Sequence, residues 1–306
     1  MNRYSQRLLA TLCLCVPALA LPLPAALAEE GTSIETASEV FSMQSMNVFR
    51  RHAVPAEEMF HFYGQVLGFA QLGTYELGNG GVTRFRVGGS ELKFTGHEGG
   101  RDYIPGGVAD ATGVRLITFY YPDQAEVEAR FVADGRAKPE FATRNGRTSA
   151  LVKDPDGQWV ELVIEPGRAE EYYQQIEIGL TVSDIDASRQ FYGAFMGLEE
   201  REPEQDGLFN TTKYAYQLGN VIVALRELGE GLPADTGSGG IQYVVSDAIE
   251  VEKLARARKV AFDQPTYVLE GFNMLFLWLE DPDGITNYFA QGNALDEQKA
   301  WIEANR

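Results

Sequence analysis

The sequence predicts an α/β protein built as two tandem copies of one domain. Two repeated markers carry this prediction. Asp154-Pro155-Asp156-Gly157 recurs as Asp281-Pro282-Asp283-Gly284, 127 residues later. Phe62-Tyr63 followed by Val66-Leu67-Gly68-Phe69 recurs as Phe191-Tyr192 followed by Phe195-Met196-Gly197-Leu198, 129 residues later. Two markers in the same order at nearly one offset mark an internal duplication.

Each copy divides again. IEIGLTVSD (176–184) reads as a strand ending in a turn, and the helical stretch SRQFYGAF follows it. GGIQYVVSD (239–247) repeats the pattern before the helix AIEVEKLARAR. In the first copy MNVFRRHAVP precedes EEMFHFYGQVLG, and VRLITFYYPD precedes QAEVEARFVADG. Apolar alternation marks the strands, and spacings of three and four, as in Val127, Ala129, Phe131 and Val132, mark the helices. Gly78-Asn79-Gly80-Gly81 signals a hairpin. Asp-Pro-Asp-Gly is a turn by mechanism, since Pro presets φ, Asp caps and Gly accepts positive φ. The order is four successive β-α-β-β-β units. The domains are expected at 42–166 and 173–292, joined through Glu165-Pro166-Gly167-Arg168, with a C-terminal helix over 293–306.

Residues 1–28 read as an export signal. Arg3 and Arg7 start it, Leu8 to Leu23 is apolar but broken by Pro17 and Pro22, and Ala26-Leu27-Ala28 supplies small residues at −3 and −1. The prolines shorten the apolar run below a membrane span. Cleavage after Ala28 would leave a periplasmic or secreted chain. Both cysteines, Cys13 and Cys15, lie in this segment, so the mature chain needs no disulfide. The chain carries −18, and loss of the two arginines brings the mature protein near −20. That charge disfavours nucleic acid and anionic membranes. No Gly-rich phosphate loop and no nucleophile triad is present. The expected partner is a small organic molecule, with no membrane contact after cleavage, and the chain a monomer or homodimer.

A strand ending Val-Ser-Asp, a helix with Phe-Tyr-x-x-x-x-Gly-Leu and a hairpin Asp-Pro-Asp-Gly-x-x-x-Glu together resemble the vicinal oxygen chelate superfamily, the glyoxalase, bleomycin-resistance and extradiol-dioxygenase type. The resemblance implies tandem VOC domains in which paired β-α-β-β-β units curl a sheet into a cup. It also implies metal ligands from the first strand of a unit, usually His, and from its last strand, usually Glu. A divalent metal held there binds two neighbouring substrate oxygens.

Carried over position by position, the ligand set thins. In the first domain the opening position falls on Val48 or Phe49, the second-half position on Leu116, and an additional acid position near Lys93. The closing strand keeps Glu161. In the second domain the positions fall on Glu177, on Gly240 with Gln242 two residues on, and on Asn287. His61 sits in a helix, His97 follows a strand in a Gly-rich stretch, and His52 ends the first strand. The usual pair of His with one carboxylate is therefore missing.

Glu161 is the candidate catalytic residue, as a base, a ligand acceptor or a metal ligand. Its alternative is an ion pair with a cup-facing cation, Lys93 or Arg50. Arg50, His52, Lys93, Glu177, Gln242 and Asn287 are the candidate ligand-binding residues. Glu161 and Glu177 are the candidates for a metal, which would be Fe, Mn, Zn, Ni or Mg. Phe119, Tyr120, Trp159, Tyr216, Tyr243, Trp278 and Tyr288 either line a cup able to hold a flat molecule or form core. The stretch Gly96 to Gly113 is either a lid or a crossover. Three functions are open: a metal-independent small-molecule binder, a metal-dependent lyase or dioxygenase with unusual ligands, and an interaction module with filled cups.

Overall fold

The structure, a computed structural model, describes residues 31–77, 80–97, 99–269 and 271–305. The expected export signal, and Gly78 and Asn79 of the expected hairpin, lie outside them.

Four units follow one another. The first holds β1 (Asn47–His52), α1 (Ala56–His61), β2 (Ala70–Leu77), β3 (Gly80–Val87) and β4 (Ser90–Gly96). The second holds β5 (Thr112–Tyr121), α2 (Gln124–Ala133), β6 (Ala142–Arg144), β7 (Arg147–Lys153) and β8 (Trp159–Ile164). The third holds β9 (Ile176–Thr181), α3 (Ile185–Arg189), β10 (Glu199–Glu200), β11 (Glu204–Asp206), β12 (Thr211–Leu218) and β13 (Val221–Arg226). After β14 (Ala234–Asp235), the fourth holds β15 (Gly239–Val244), α4 (Ala248–Arg258), β16 (Ala261–Leu269), β17 (Met274–Glu280) and β18 (Thr286–Gln291). The C-terminal helix α5 (Asp296–Ala304) buries Gln298 and Ile302.

The strand-ending Asp residues act as helix N-caps. Asp123, Asp184 and Asp247 accept hydrogen bonds from backbone N–H groups of α2, α3 and α4, each worth about 1 kcal/mol. The α1 helix continues into a π-helical turn, Phe62–Val66, which sends Phe62, Tyr63 and Val66 into the core. In α2 only Val127 and Phe131 of the four spaced apolar residues are buried. Val132 is 51% exposed.

Two sheets form, with strand orders β16-β17-β18-β15-β1-β4-β3-β2 and β10-β12-β13-β9-β5-β8-β7-β6. The sheets cut across the sequence halves 42–166 and 173–292. Unit one joins unit four through antiparallel β1 and β15, and unit two joins unit three through antiparallel β5 and β9. The two units of each sequence half are thus divided between sheets, while units two and three share one. The crossover before β5 is tied down by Arg115, which donates to the carbonyls of Ile104 and Gly107 and pairs with the buried Asp235. Within the crossover from β4 to β5, Ile104 and Gly107 are accordingly tied to β5 through Arg115.

The helix-bearing faces of both sheets share one core. Tyr63 packs on Phe94 of its own sheet and Phe119 of the other, with centroids 4.5 and 6.4 Å apart. The opposite, helix-free face of each sheet carries the polar and aromatic residues described next.

Candidate functional sites

Strand alternation decides which residues reach the helix-free face. At the first seam, Phe49 pairs with Gly240 and Asn47 with Gln242. At the second, Gly179 pairs with Leu116 and Glu177 with Thr118. The two seams are equivalent, each setting a large residue against a glycine. Gly240 is required by its neighbour, because a Cβ there would lie 2.6 Å from the Tyr288 ring. A Cβ on Gly179 would lie 2.8 Å from Leu116 Cβ and 3.1 Å from Nη1 of Arg226.

The seams correct several expected positions. The opening position of unit one is Asn47, not Val48 or Phe49, since Asn47 stands where Glu177 stands in the other sheet. Val48 is core. The closing position of unit four is Tyr288, not Asn287. Counted from Asp-Pro-Asp-Gly, Glu161 and Tyr288 occupy the same place. Asn287 pairs in register with Ile241 and Leu279, turns to the core and meets the Tyr243 hydroxyl at 3.4 Å. Arg50 also turns inward, fully buried, with Nη2 donating to Asp154 Oδ2 at 3.5 Å. His52 shares that face, and its Nδ1 contacts the Val54 carbonyl at 2.9 Å. None of these three lines a cup. His97 stacks on Tyr103 at 4.6 Å, and His61 contacts Asp134 on the surface.

The first cup, on the sheet of units one and four, has a polar floor. Lys93 Nζ donates to Gln242 Oε1 at 2.6 Å, and Asn47 Nδ2 donates to the same oxygen at 3.1 Å. Glu91 Oε2 lies 3.4 Å from Lys93 Nζ. Burial pulls the Lys93 ammonium below its usual pKa, and Glu91 opposes that pull. Aromatic rings rise from the floor. Phe49 lies 4.9 Å from Tyr288, Tyr288 lies 5.4 Å from Trp278, and Trp278 lies 5.9 Å from Tyr267. The indole Nε1 of Trp278 is buried and has no hydrogen-bond partner among the described residues. Such a donor is costly unless something accepts from it.

The second cup brings Glu161 and Glu177 to either side of Thr118. The expected partner of Glu161, Lys93 or Arg50, is wrong: Lys93 lies in the other sheet and Arg50 in the core. Glu161 Oε2 instead accepts from Thr118 Oγ1 at 3.0 Å and Arg147 Nη2 at 2.9 Å. Glu177 accepts from Tyr120 at 3.2 Å, from Lys213 at 3.2 Å and from Arg226 Nη2 at 3.0 Å. Arg226 Nε donates in turn to Asp206 at 2.6 Å. Burial pushes the Glu177 pKa up, but Lys213, Arg226 and Arg147 outweigh it and hold the carboxyl well below the carboxylate range. The sequence reading missed Arg147, Lys213 and Arg226, which follow the period-two pattern of their strands but carry no motif.

A divalent metal does not fit either cup as built. Asn47, Lys93, Gln242 and Tyr288 offer no carboxylate or imidazole, and Lys93 adds a competing positive charge. Glu161 and Glu177 are of ligand type, but Glu161 Oε2 and both Glu177 oxygens are engaged by ammonium and guanidinium groups. Among the described residues no three His, Cys, Asp or Glu side chains gather to hold a metal.

Residues 55–162 match the family model of the Glyoxalase/Bleomycin resistance protein/Dioxygenase superfamily. In structure the chain is similar to glyoxalase I from Zea mays, with 14% identity, TM-score 0.64, and coverage of 85% of this chain and 95% of that one. It is also similar to a candidate dioxygenase from Bacillus subtilis, with 18% identity, TM-score 0.58, and coverage of 83% and 87%. No curated protein matches. The match to that superfamily thus rests on residues 55–162, while the fold of the chain is the tandem α/β fold of the glyoxalase I kind.

Proposed function

We propose that this is an exported, metal-independent binding member of the superfamily, and that its first cup holds a flat organic anion. The observation that carries the reading is the pairing of Lys93 with an aromatic wall that ends in the unpartnered Trp278 indole N–H. A pocket with apolar walls and a few convergent polar groups is the common form of a small-molecule site. Lys93 offers a charge to a carboxylate or enolate oxygen. Gln242 accepts from the ammonium, and Asn47 steadies Gln242 by donating to the same oxygen. Phe49, Tyr288, Trp278 and Tyr267 offer ring faces and edges to a planar ligand. The Trp278 Nε1–H supplies a second donor for an oxygen at the far end of that ligand.

The export signal supports a periplasmic or secreted location. The test is thermal-shift screening of the mature protein with aromatic carboxylates such as benzoate, 4-hydroxybenzoate and phenylpyruvate. Stabilisation by at least one of them is expected. Stabilisation only by divalent metals would favour a metal-dependent lyase or dioxygenase instead.

A further inference from the structure

We propose that the second cup is a separate binding site for a small, uncharged, polyhydroxylated molecule of the sugar or polyol class. A cavity of about 550 Å³ opens there, lined by Arg147, Ser149, Glu161, Asp206, Lys213 and Arg226 among others. An adjoining cavity of about 670 Å³ reaches Tyr120 and Glu177.

The charges inside this cup are already matched. Arg147 faces Glu161, Lys213 faces Glu177, and Arg226 bridges Glu177 and Asp206. Arg144, exposed at the rim of the cavity, is the lining cation with no ion pair among the described residues. A charged ligand inside the cup would find no uncompensated buried partner, and burying an unpaired charge is expensive. The hydrogen-bonding capacity left open is of both kinds. Arg226 is 3% exposed, and its Nη1 is buried with no partner among the described residues. That nitrogen lies beside Gly179, the seam position whose missing side chain leaves it room. On the acceptor side, the bonds to Glu161 from Thr118 and Arg147 both fall on Oε2, and among the described residues none reaches Oε1. Ser149 adds a hydroxyl that both donates and accepts. A ligand hydroxyl group, donor and acceptor at once, complements this set.

The aromatic faces here are taken. Arg147 lies over Tyr120 at 5.5 Å, Arg168 over Tyr172 at 5.0 Å and Arg226 over Phe209 at 5.6 Å. A flat aromatic ring therefore has no platform in this cup, in contrast to the first. The two cups have diverged in what they admit, with Phe49 at one seam where Gly179 stands at the other.

The experiment is saturation-transfer NMR and calorimetry on the full mature chain. The probes are ribose, glucose and myo-inositol, with succinate, inorganic phosphate and glutamine as contrasts. At least one polyol should bind, and Arg147→Gln and Ser149→Ala should each weaken it tenfold or more. Ser149→Ala leaves every ion pair intact, so it keeps the test valid if Arg147→Gln misfolds. Lys93→Met, in the other cup, should leave polyol binding unchanged. The proposal is overturned if only the charged or zwitterionic probes bind, if no probe binds, or if polyol binding ignores Ser149→Ala or disappears in Lys93→Met.

Discussion

Lys93 and Gln242 lie 149 residues apart and meet at 2.6 Å, so the floor of the first cup is made jointly by the first and fourth units. Neither half of the chain holds this floor alone. Gln242→Ala removes the acceptor that Lys93 and Asn47 share. It is expected to lower ligand affinity several-fold while moving the unfolding midpoint by only a few degrees, since a neutral buried hydrogen bond contributes about 1 kcal/mol. Calorimetric titration beside a melting curve checks both parts.

The exchange of units between sheets predicts that the chain cannot be divided at its repeat boundary. Segments 42–166 and 173–292, expressed separately, each expose two seam strands, β1 with β5 or β9 with β15. Each is expected to aggregate or remain unfolded, and co-expression should restore a soluble one-to-one complex. Size-exclusion chromatography reads the result. A folded, monomeric isolated segment would argue against the exchange.

The ion lattice of the second cup predicts a specific acid response. The folded pKa of Glu177 is depressed below its unfolded value, so its stabilisation is complete above roughly pH 4.5 and is lost as pH falls through the folded value. Glu177→Gln leaves Lys213 and Arg226 buried with less compensation, at a cost of about 3 kcal/mol or more at neutral pH. Glu177→Gln with Lys213→Met should recover part of that loss. Denaturant unfolding of the three proteins between pH 3 and 7 measures it. Equal stability of the two variants would contradict the lattice.

The repeated turn gives a second pH signature with the opposite sign. Asp154 and Asp281 each accept backbone N–H bonds within their turn and a bond from a helix tyrosine, Tyr63 at 3.0 Å and Tyr192 at 2.8 Å. Arg50 compensates Asp154. Asp281 has no ion pair among the described residues, and burial pushes its pKa up to about 7, against the pull of the Ile285 N–H and the Tyr192 hydroxyl. A raised carboxyl pKa stabilises most below the unfolded value near 4, and that contribution is lost as pH rises towards 7. Asp281→Asn should therefore flatten the fall in melting temperature between about pH 4 and 7, while Asp154→Asn, which strands Arg50, should destabilise across the whole range.

Chelation forms another check. Incubation with Fe, Mn, Zn, Ni or Mg followed by desalting should leave no metal near stoichiometry, and EDTA should not shift the melting temperature. Stoichiometric retention of one metal, lost in Glu161→Ala, would show that the ammonium and guanidinium partners can be displaced.

The duplication, the unit order and the fold were legible because Asp-Pro-Asp-Gly and Phe-Tyr recur at nearly fixed offsets. The strand partners were not. A strand pattern states which face is apolar but not which edge it will join, so Glu161 and Glu177 were read in separate domains although they flank Thr118 together. Side choice failed where one residue of register decides it. Asn47 was passed over for Val48 and Phe49, and Tyr288 for Asn287, because a one-residue shift turns a strand residue to the opposite face. Arg50 and His52 were misplaced by the same rule. Lys93, Gln242 and Glu177, which the resemblance places at or beside ligand positions, lie on the helix-free faces of their sheets.

The measurement that tests the central claim most directly is the affinity of the mature protein and of Lys93→Met for an aromatic carboxylate, followed by calorimetry and by Trp278 fluorescence. The reading predicts measurable binding, quenching of Trp278, and a loss of about 30-fold in Lys93→Met, equivalent to ~2 kcal/mol for one charge-assisted hydrogen bond. Binding of equal strength in both proteins, or none to either, would contradict it.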